Sequence, residues 1–324
     1  MIAKIKNTFV YLSVALLSAC GGGGGTSSPS SNPSAALLAI TPSNYVDVAT
    51  ESVAGANGTS DASSLGTNLV GAQISQFGSF GLKRVALSTA TTLLDNWAVF
   101  NNPTIVGAVT QRTVNCSGGG TVSASVNDAD DSSTANAGDS ISATFTSCNE
   151  SGLLVNGSLS IIINSYSGNL STAGSASLTM AFNNITAGSD AINGSLTLVA
   201  SKSIGTSASV TLTMPSMAIT SSGNSLTYTD FNLTASDSGS SVSLTMAGNV
   251  SSLKYGGSVD ISTPSTMTID SSNRVTGTIL MAGKNGTKAR LVGQGTTSIL
   301  IEADTTGNGT YDTNTTVTLA SLGL

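Results

Sequence analysis

The chain has 324 residues, of which 39% are hydrophobic, only 9% are charged and 98 are Ser or Thr, and its net charge is −6. It contains no His, which excludes Ser-His and Cys-His nucleophile pairs and every His-ligated metal centre. Its 11 Lys and Arg are scattered singly or in pairs, leaving no basic stripe to neutralise a phosphate backbone, so no nucleic-acid partner is expected.

Residues 1–20, MIAKIKNTFVYLSVALLSAC, begin with Lys4 and Lys6, continue through an apolar stretch from Phe9 to Leu17 and end in small residues. This is the three-part form of a secretory signal, and its apolar stretch is too short to span a bilayer, which takes about 20 residues. The tetrapeptide Leu17-Ser18-Ala19-Cys20 resembles the lipobox of bacterial lipoproteins. That resemblance covers residues 1–20 only. It implies cleavage after residue 19, acylation of Cys20 (a palmitate-type lipid anchor) and attachment to the cell envelope. Gly21 in place of Asp implies the outer membrane of a Gram-negative bacterium. Several acyl chains on one cysteine hold a soluble domain stably. Residues 21–34, GGGGGTSSPSSNPS, carry no hydrophobic side chain and are expected to act as a flexible tether with a reach on the order of 20 Å. The domain plan expected is a signal peptide over 1–19, lipidated Cys20 and tether over 20–45, and one β-rich domain over 46–324.

Cleavage removes Lys4 and Lys6, so the mature chain is more acidic than its precursor. With Cys20 acylated, Cys116 and Cys148 remain, and in an oxidising periplasm they are expected to form a disulfide. Neither a CxxC spacing nor a His is present to make them a redox or metal pair.

Residues 35–61 yield little beyond a connection and an edge strand. From Leu65 to Trp97 the apolar spacing is helical: Val70, Ile74, Phe77, Gly81 and Val85, then Ala86, Ala90, Leu93 and Trp97. A short N-terminal helical segment over about 62–100 is expected, packed on the main sheet. From about residue 104 the period becomes two. Val122, Ala124 and Val126, then Ile141, Ala143 and Phe145, then Leu178, Met180 and Phe182, then Val210, Leu212 and Met214, then Val242, Leu244 and Met246 alternate with Ser and Thr. Each run buries one face and wets the other. Asn156-Gly157, Asn193-Gly194, Gly223-Asn224, Gly256-Gly257 and Asn285-Gly286 read as hairpin turns. About 12 to 14 strands follow, too many for a flat open sheet. The fold class expected is mainly β: a large curved antiparallel sheet, half-barrel-like, with a two-layer sandwich as the alternative. A parallel β-helix ranks third. A transmembrane barrel lacks its aromatic girdles, because aromatics are 4% of the chain. NGSLSI at 156–161 and NGSLTL at 193–198 form a short internal similarity.

Gly138-Asp139-Ser140-Ile141 resembles the nucleophile block of GDSL-type hydrolases, but those pair the Ser with a His that this chain lacks. It reads as a turn leading into a strand. Ser251 and Lys254 fit an SxxK pattern without its downstream partners, in a strand-like setting. Asp304, Thr306, Asn308, Gly309, Thr310 and Asp312 align with an EF-type calcium loop whose twelfth position is Thr315, so the bidentate acid is missing. The same residues build a hairpin tip, and that reading is preferred, with Asp304, Asn308 and Asp312 kept as a calcium alternative. Asp128, Asp130 and Asp131 form a second acidic tip, read as solvated. No catalytic residue and no cofactor are expected. The function expected is a non-enzymatic, membrane-anchored structural or interaction module with a protein, glycan or lipid partner. The alternative is a carrier or sensor of a hydrophobic ligand held in the concave face of the sheet.

Overall fold

A computed structural model describes residues 35–54, 110–116, 118–132, 136–150, 153–169, 173–188, 190–203, 207–221 and 224–318. The lipobox with Cys20, the tether up to residue 34 and the helical stretch expected over 62–100 lie outside these residues. The described elements are a helix, α1 (Tyr45–Ala54), and fourteen strands. The strands are β1 (Thr110–Asn115), β2 (Thr121–Asn127), β3 (Ser140–Glu150), β4 (Leu153–Asn169), β5 (Ala173–Ala187), β6 (Asp190–Lys202) and β7 (Ala208–Ser221). They continue with β8 (Asn224–Asp237), β9 (Ser241–Ser252), β10 (Gly257–Asp270), β11 (Val275–Ala282), β12 (Lys288–Thr296), β13 (Ser298–Asp304) and β14 (Thr313–Thr318).

All fourteen join one antiparallel sheet in sequence order. The short connections dictate this meander, because parallel neighbours need crossovers of a dozen or more residues. β1 and β14 stand at the two ends of the order, so the sheet is open and not a closed barrel. Alternation puts Ile163, Leu178, Leu198, Leu212, Leu233 and Met246 in one row across β4 to β9 on the inner face, all buried. On the outer face Ser167, Ser175, Ser201, Ser209, Ser236 and Ser243 make the equivalent row. Their hydroxyls pair across strands, as in Ser167–Ser175 at 2.9 Å and Ser201–Ser209 at 2.8 Å. The polar face therefore satisfies part of its own hydrogen bonding.

Two of the expected turns are not turns. Asn156-Gly157 lies inside β4 and Asn193-Gly194 inside β6. Each faces a bulge in the neighbouring strand, where Ser147 of β3 (φ 47°) and Asn184 of β5 (φ 45°) adopt left-handed backbone. The bulged N–H donates to the Asn: Ser147 N to Asn156 Oδ1 at 2.8 Å, and Asn184 N to Asn193 Oδ1 at 3.1 Å. A Cβ on Gly157 would overlap the Asn184 carbonyl, and one on Gly194 would overlap the Ser216 carbonyl. Glycine is thus required by close approach as well as by φ of 108° and 123°. Further register shifts, at Thr229/Asn232 and Ser262/Ser265, extend the line of bulges across the sheet. Bulges bend and twist the strands they interrupt, so this crease is where the long strands turn.

The chain before α1 corrects a second expectation. The tether read over 20–45 gives way to packed chain at Ala35. Leu37 bridges Ser258 in parallel, and Leu38 N donates to Ser258 O at 2.8 Å. Ile40 is fully buried, and its N–H donates to the Thr287 hydroxyl at 3.0 Å. The six apolar residues AALLAI are flanked by Ser, Pro and Asn, so composition hides them in the linker. α1 buries Tyr45, Val48, Ala49, Ser52 and Val53 on one side, the spacing of a single helical face. It packs on β11, β12 and β13, and its Glu51 reaches β8 and β9. Those strands would span roughly 24 Å if flat, against roughly 15 Å for a helix of this length. The sheet meets both ends by curling around α1.

Candidate functional site

In a meander, successive turns alternate between two rims. One rim holds the chain's arrival at Ala35, α1, the disulfide and the turns at 253–256, 283–287 and 305–312. The other holds the turns at 128–139, 238–240 and 271–274. The chemistry-bearing side chains collect at these rims.

On the first rim Glu51 is the hub. Its carboxylate meets Lys254 Nζ at 2.9 Å and accepts from Ser252 Oγ at 3.2 Å and Asn224 Nδ2 at 3.3 Å. Lys254 also approaches Asp47 at 3.9 Å, and the Tyr255 hydroxyl donates to the Asp47 carbonyl at 2.5 Å. The hydrogen bond to Glu51 raises the Lys254 ammonium above its ordinary pKa, against a smaller loss of solvation, and the charges of Glu51 and Asp47 add to it. A lysine held charged in this way cannot take a proton from Ser251, so the SxxK pattern has no chemistry here. Burial, and then the Glu51 charge, push the Tyr228 phenol up. Tyr255 moves the same way, by burial first and then by Glu51. Neither tyrosine ionises at neutral pH.

The turn from Asp304 to Asp312 uses its acids on itself. Asp304 is buried, and its two oxygens accept the backbone N–H of Thr306, Gly307, Asn308 and Gly309. Burial raises its pKa, but the amides of Gly309, Gly307, Asn308 and Thr306 together outweigh that and hold it below the ordinary value. Asp312 accepts from Thr305, and Asn308 Oδ1 accepts from Thr310 N at 2.8 Å. The three residues considered as calcium ligands each build the turn.

Convergence occurs on the opposite rim. Asp128, Asp130 and Asp139 bring carboxylate oxygens within 4.8 Å of one another. Asn136 Nδ2 donates to Asp130 at 3.1 Å and to Ser132 Oγ at 2.5 Å. Asp139 is buried and accepts from Ala129 N at 2.8 Å and Asn136 N at 2.6 Å. The Ser132 hydroxyl lowers the Asp130 pKa most, against some desolvation. Residues 128, 130, 132, 136 and 139 stand at places one, three, five, nine and twelve of a calcium-loop spacing, all with oxygen side chains. The spacing considered at 304–312 thus recurs on a second hairpin, where three carboxylates meet. Among the described residues these acids are the group able to hold a hard cation.

Gly138-Asp139-Ser140-Ile141 is a turn followed by the first residues of β3, paired to β4 through Gly138 N to Ile163 O at 2.8 Å. No nucleophile is assembled there. Cys116 and Cys148 form the expected disulfide, with Cα atoms 5.4 Å apart. No protein-family model, curated protein or solved structure matches the chain. The two rims and the faces between them must be read from their own chemistry. The disulfide closes a loop with a sequence separation of 32 residues, worth roughly 3 to 4 kcal/mol in the chain-entropy model. It ties the β1–β2 turn to β3, beside the second small core of Val122, Ala124, Ala143, Phe145 and Val155.

Proposed function

We propose that the chain is a non-enzymatic lipoprotein of the bacterial cell envelope, anchored through Cys20 and working as a structural or interaction module.

 It sits at the outer membrane of a Gram-negative cell, facing the periplasm or the surface. The observation that carries this is the join between two parts of the chain. Leu17-Ser18-Ala19-Cys20 and an apolar-free stretch of fourteen residues lead to Ala35, the first described residue, whose carbonyl accepts from Ser258 of the sheet.

The inner face supports a module over a carrier. Its Leu, Ile, Val and Met form one contiguous cluster that includes Val48, Ala49 and Val53 of α1. The outer face, dominated by paired Ser and Thr hydroxyls, suits weak contacts with protein or glycan.

Mass spectrometry of the full chain extracted from membranes tests the proposal. The expected product begins at Cys20, carries a diacylglyceryl group and incorporates labelled palmitate, whereas Cys20→Ser remains an unacylated precursor. Palmitate incorporation by the Cys20→Ser chain overturns the anchor. Native mass spectrometry before and after solvent extraction tests the module: a stoichiometric lipid beyond the anchor moves the function to a hydrophobic-ligand carrier.

A further inference from the structure

The two rims differ in more than their turns. Ala35, where the tether ends, is fixed by a hydrogen bond from Ser258 Oγ to its carbonyl at 2.7 Å, just after the 253–256 turn. Five large hydrophobic residues are exposed among those described, and three belong to this rim: Leu253 at 68%, Leu154 at 47% and Leu37 at 36%. Leu154 is the second residue of β4, whereas Ile162, paired with Ser140, and Val199 lie in the opposite-rim halves of β4 and β6, and none of the five is at an opposite-rim hairpin tip. Leu253 sits at a hairpin tip between Ser252 and the half-exposed Lys254, followed by Tyr255, an apolar–cation–aromatic order that suits the boundary between acyl chains and headgroups.

Charge does not distinguish the rims, since both are acidic. The arrival rim carries Lys254, Lys284 and Lys288 with Asp47, Glu51, Asp190, Asp304 and Asp312. The opposite rim carries Lys202 and Arg274 with Asp128, Asp130, Asp131, Asp139, Asp237 and Asp270. The difference lies in the exposed leucine at the 253–256 tip and in the chain that arrives beside it.

We infer that the arrival rim docks on the bilayer that holds the anchor, with Leu253 and Leu37 entering its interfacial layer and the opposite rim turned away. This rests on the lipid-anchor reading. A tether reaching on the order of 20 Å holds the rim at high effective concentration over the membrane, so modest contacts suffice. Burying one leucine changes a partition constant by roughly tenfold. The occupant is the lipid surface itself.

The test uses the acylated full chain in vesicles of phosphatidylcholine with phosphatidylglycerol. An environment-sensitive fluorophore is placed on Leu253→Cys or, for the opposite rim, on Ser240→Cys, and nitroxide-labelled lipid is the quencher. The expected result is a blue-shifted, quenched label at 253 and an unquenched one at 240, with Leu37→Asp lowering rim association by roughly tenfold. If the acylated chain floats with vesicles while both labels remain in water, the docking inference is overturned and the anchor stands. If Cys20 carries no lipid and the chain stays soluble, the anchor reading is overturned and the docking inference goes with it.

Discussion

Asn-Gly occurs in this molecule in two structural settings. At 285–286 it makes a turn, with Asn285 in left-handed backbone at φ 58°. At 156–157 and 193–194 it lies inside a strand, where Gly admits a neighbouring backbone and Asn accepts the N–H of a bulged residue. The dipeptide is identical, and what differs is whether the chain on either side continues a period of two into the same strand. A glycine-containing pair therefore states where the backbone departs from ordinary geometry, and only its flanks state whether the strand ends there.

The sharpest way to break this comparison is to add a Cβ at both kinds of site. Gly194→Ala and Gly157→Ala combine positive φ with overlap onto a neighbouring carbonyl, and each is expected to cost about 3 kcal/mol or more in urea unfolding. Removing the clasp is next. Asn193→Ala leaves the Asn184 N–H without its side-chain acceptor and should cost about 1 to 2 kcal/mol, while Asn193→Asp keeps an acceptor and costs less. Gly256→Ala, at a turn with φ 69° and open space around its Cβ, should cost only about 1 kcal/mol. Equal losses at Gly194 and Gly256 would refute the distinction.

Acid sharpens it further. The clasps at Asn156 and Asn193 contain no titrating group. The turn at 285–286 leans on the 305–312 loop, since a Cβ on Gly286 would lie 3.3 Å from the Gly307 carbonyl, and that loop is held by Asp304. Because the native Asp304 pKa is depressed, its contribution is complete above the ordinary carboxylate range and is lost as pH falls through the depressed native value. Hydrogen-exchange protection at 306–309 should therefore fall on acidification, and Asp304→Asn should flatten that response. Protection of the Ser147 and Asn184 amides should not follow it.

Alternation made most of the sheet legible. Leu178, Met180 and Phe182 are buried as their spacing required, and Thr179 and Ala181 between them are not. The Cys116–Cys148 pairing followed from compartment and count. The crease was not legible, because a bulge leaves the local composition of a turn and its partner lies on another strand. α1 was hidden by length: ten residues with Ala and β-branched Val give a weak helical pattern, and its stability comes from β11 to β13. The acidic convergence at 128–139 was missed because its closing member, Asp139, was read within Gly138-Asp139-Ser140-Ile141 and not as the end of the preceding loop.

The crease also carries a rule of parity. Phe145, Ser147 and Asn156-Gly157 correspond to Phe182, Asn184 and Asn193-Gly194 at one constant offset, so the repeated unit is a pair of strands, one up and one down. Inserting or deleting a whole unit leaves every later turn on its original rim. Gaining or losing a single strand would exchange the rims for everything downstream, carrying the 253–256 turn away from the segment at Ala35 that it must meet. A sheet of this kind can change its width in steps of two and keep its orientation.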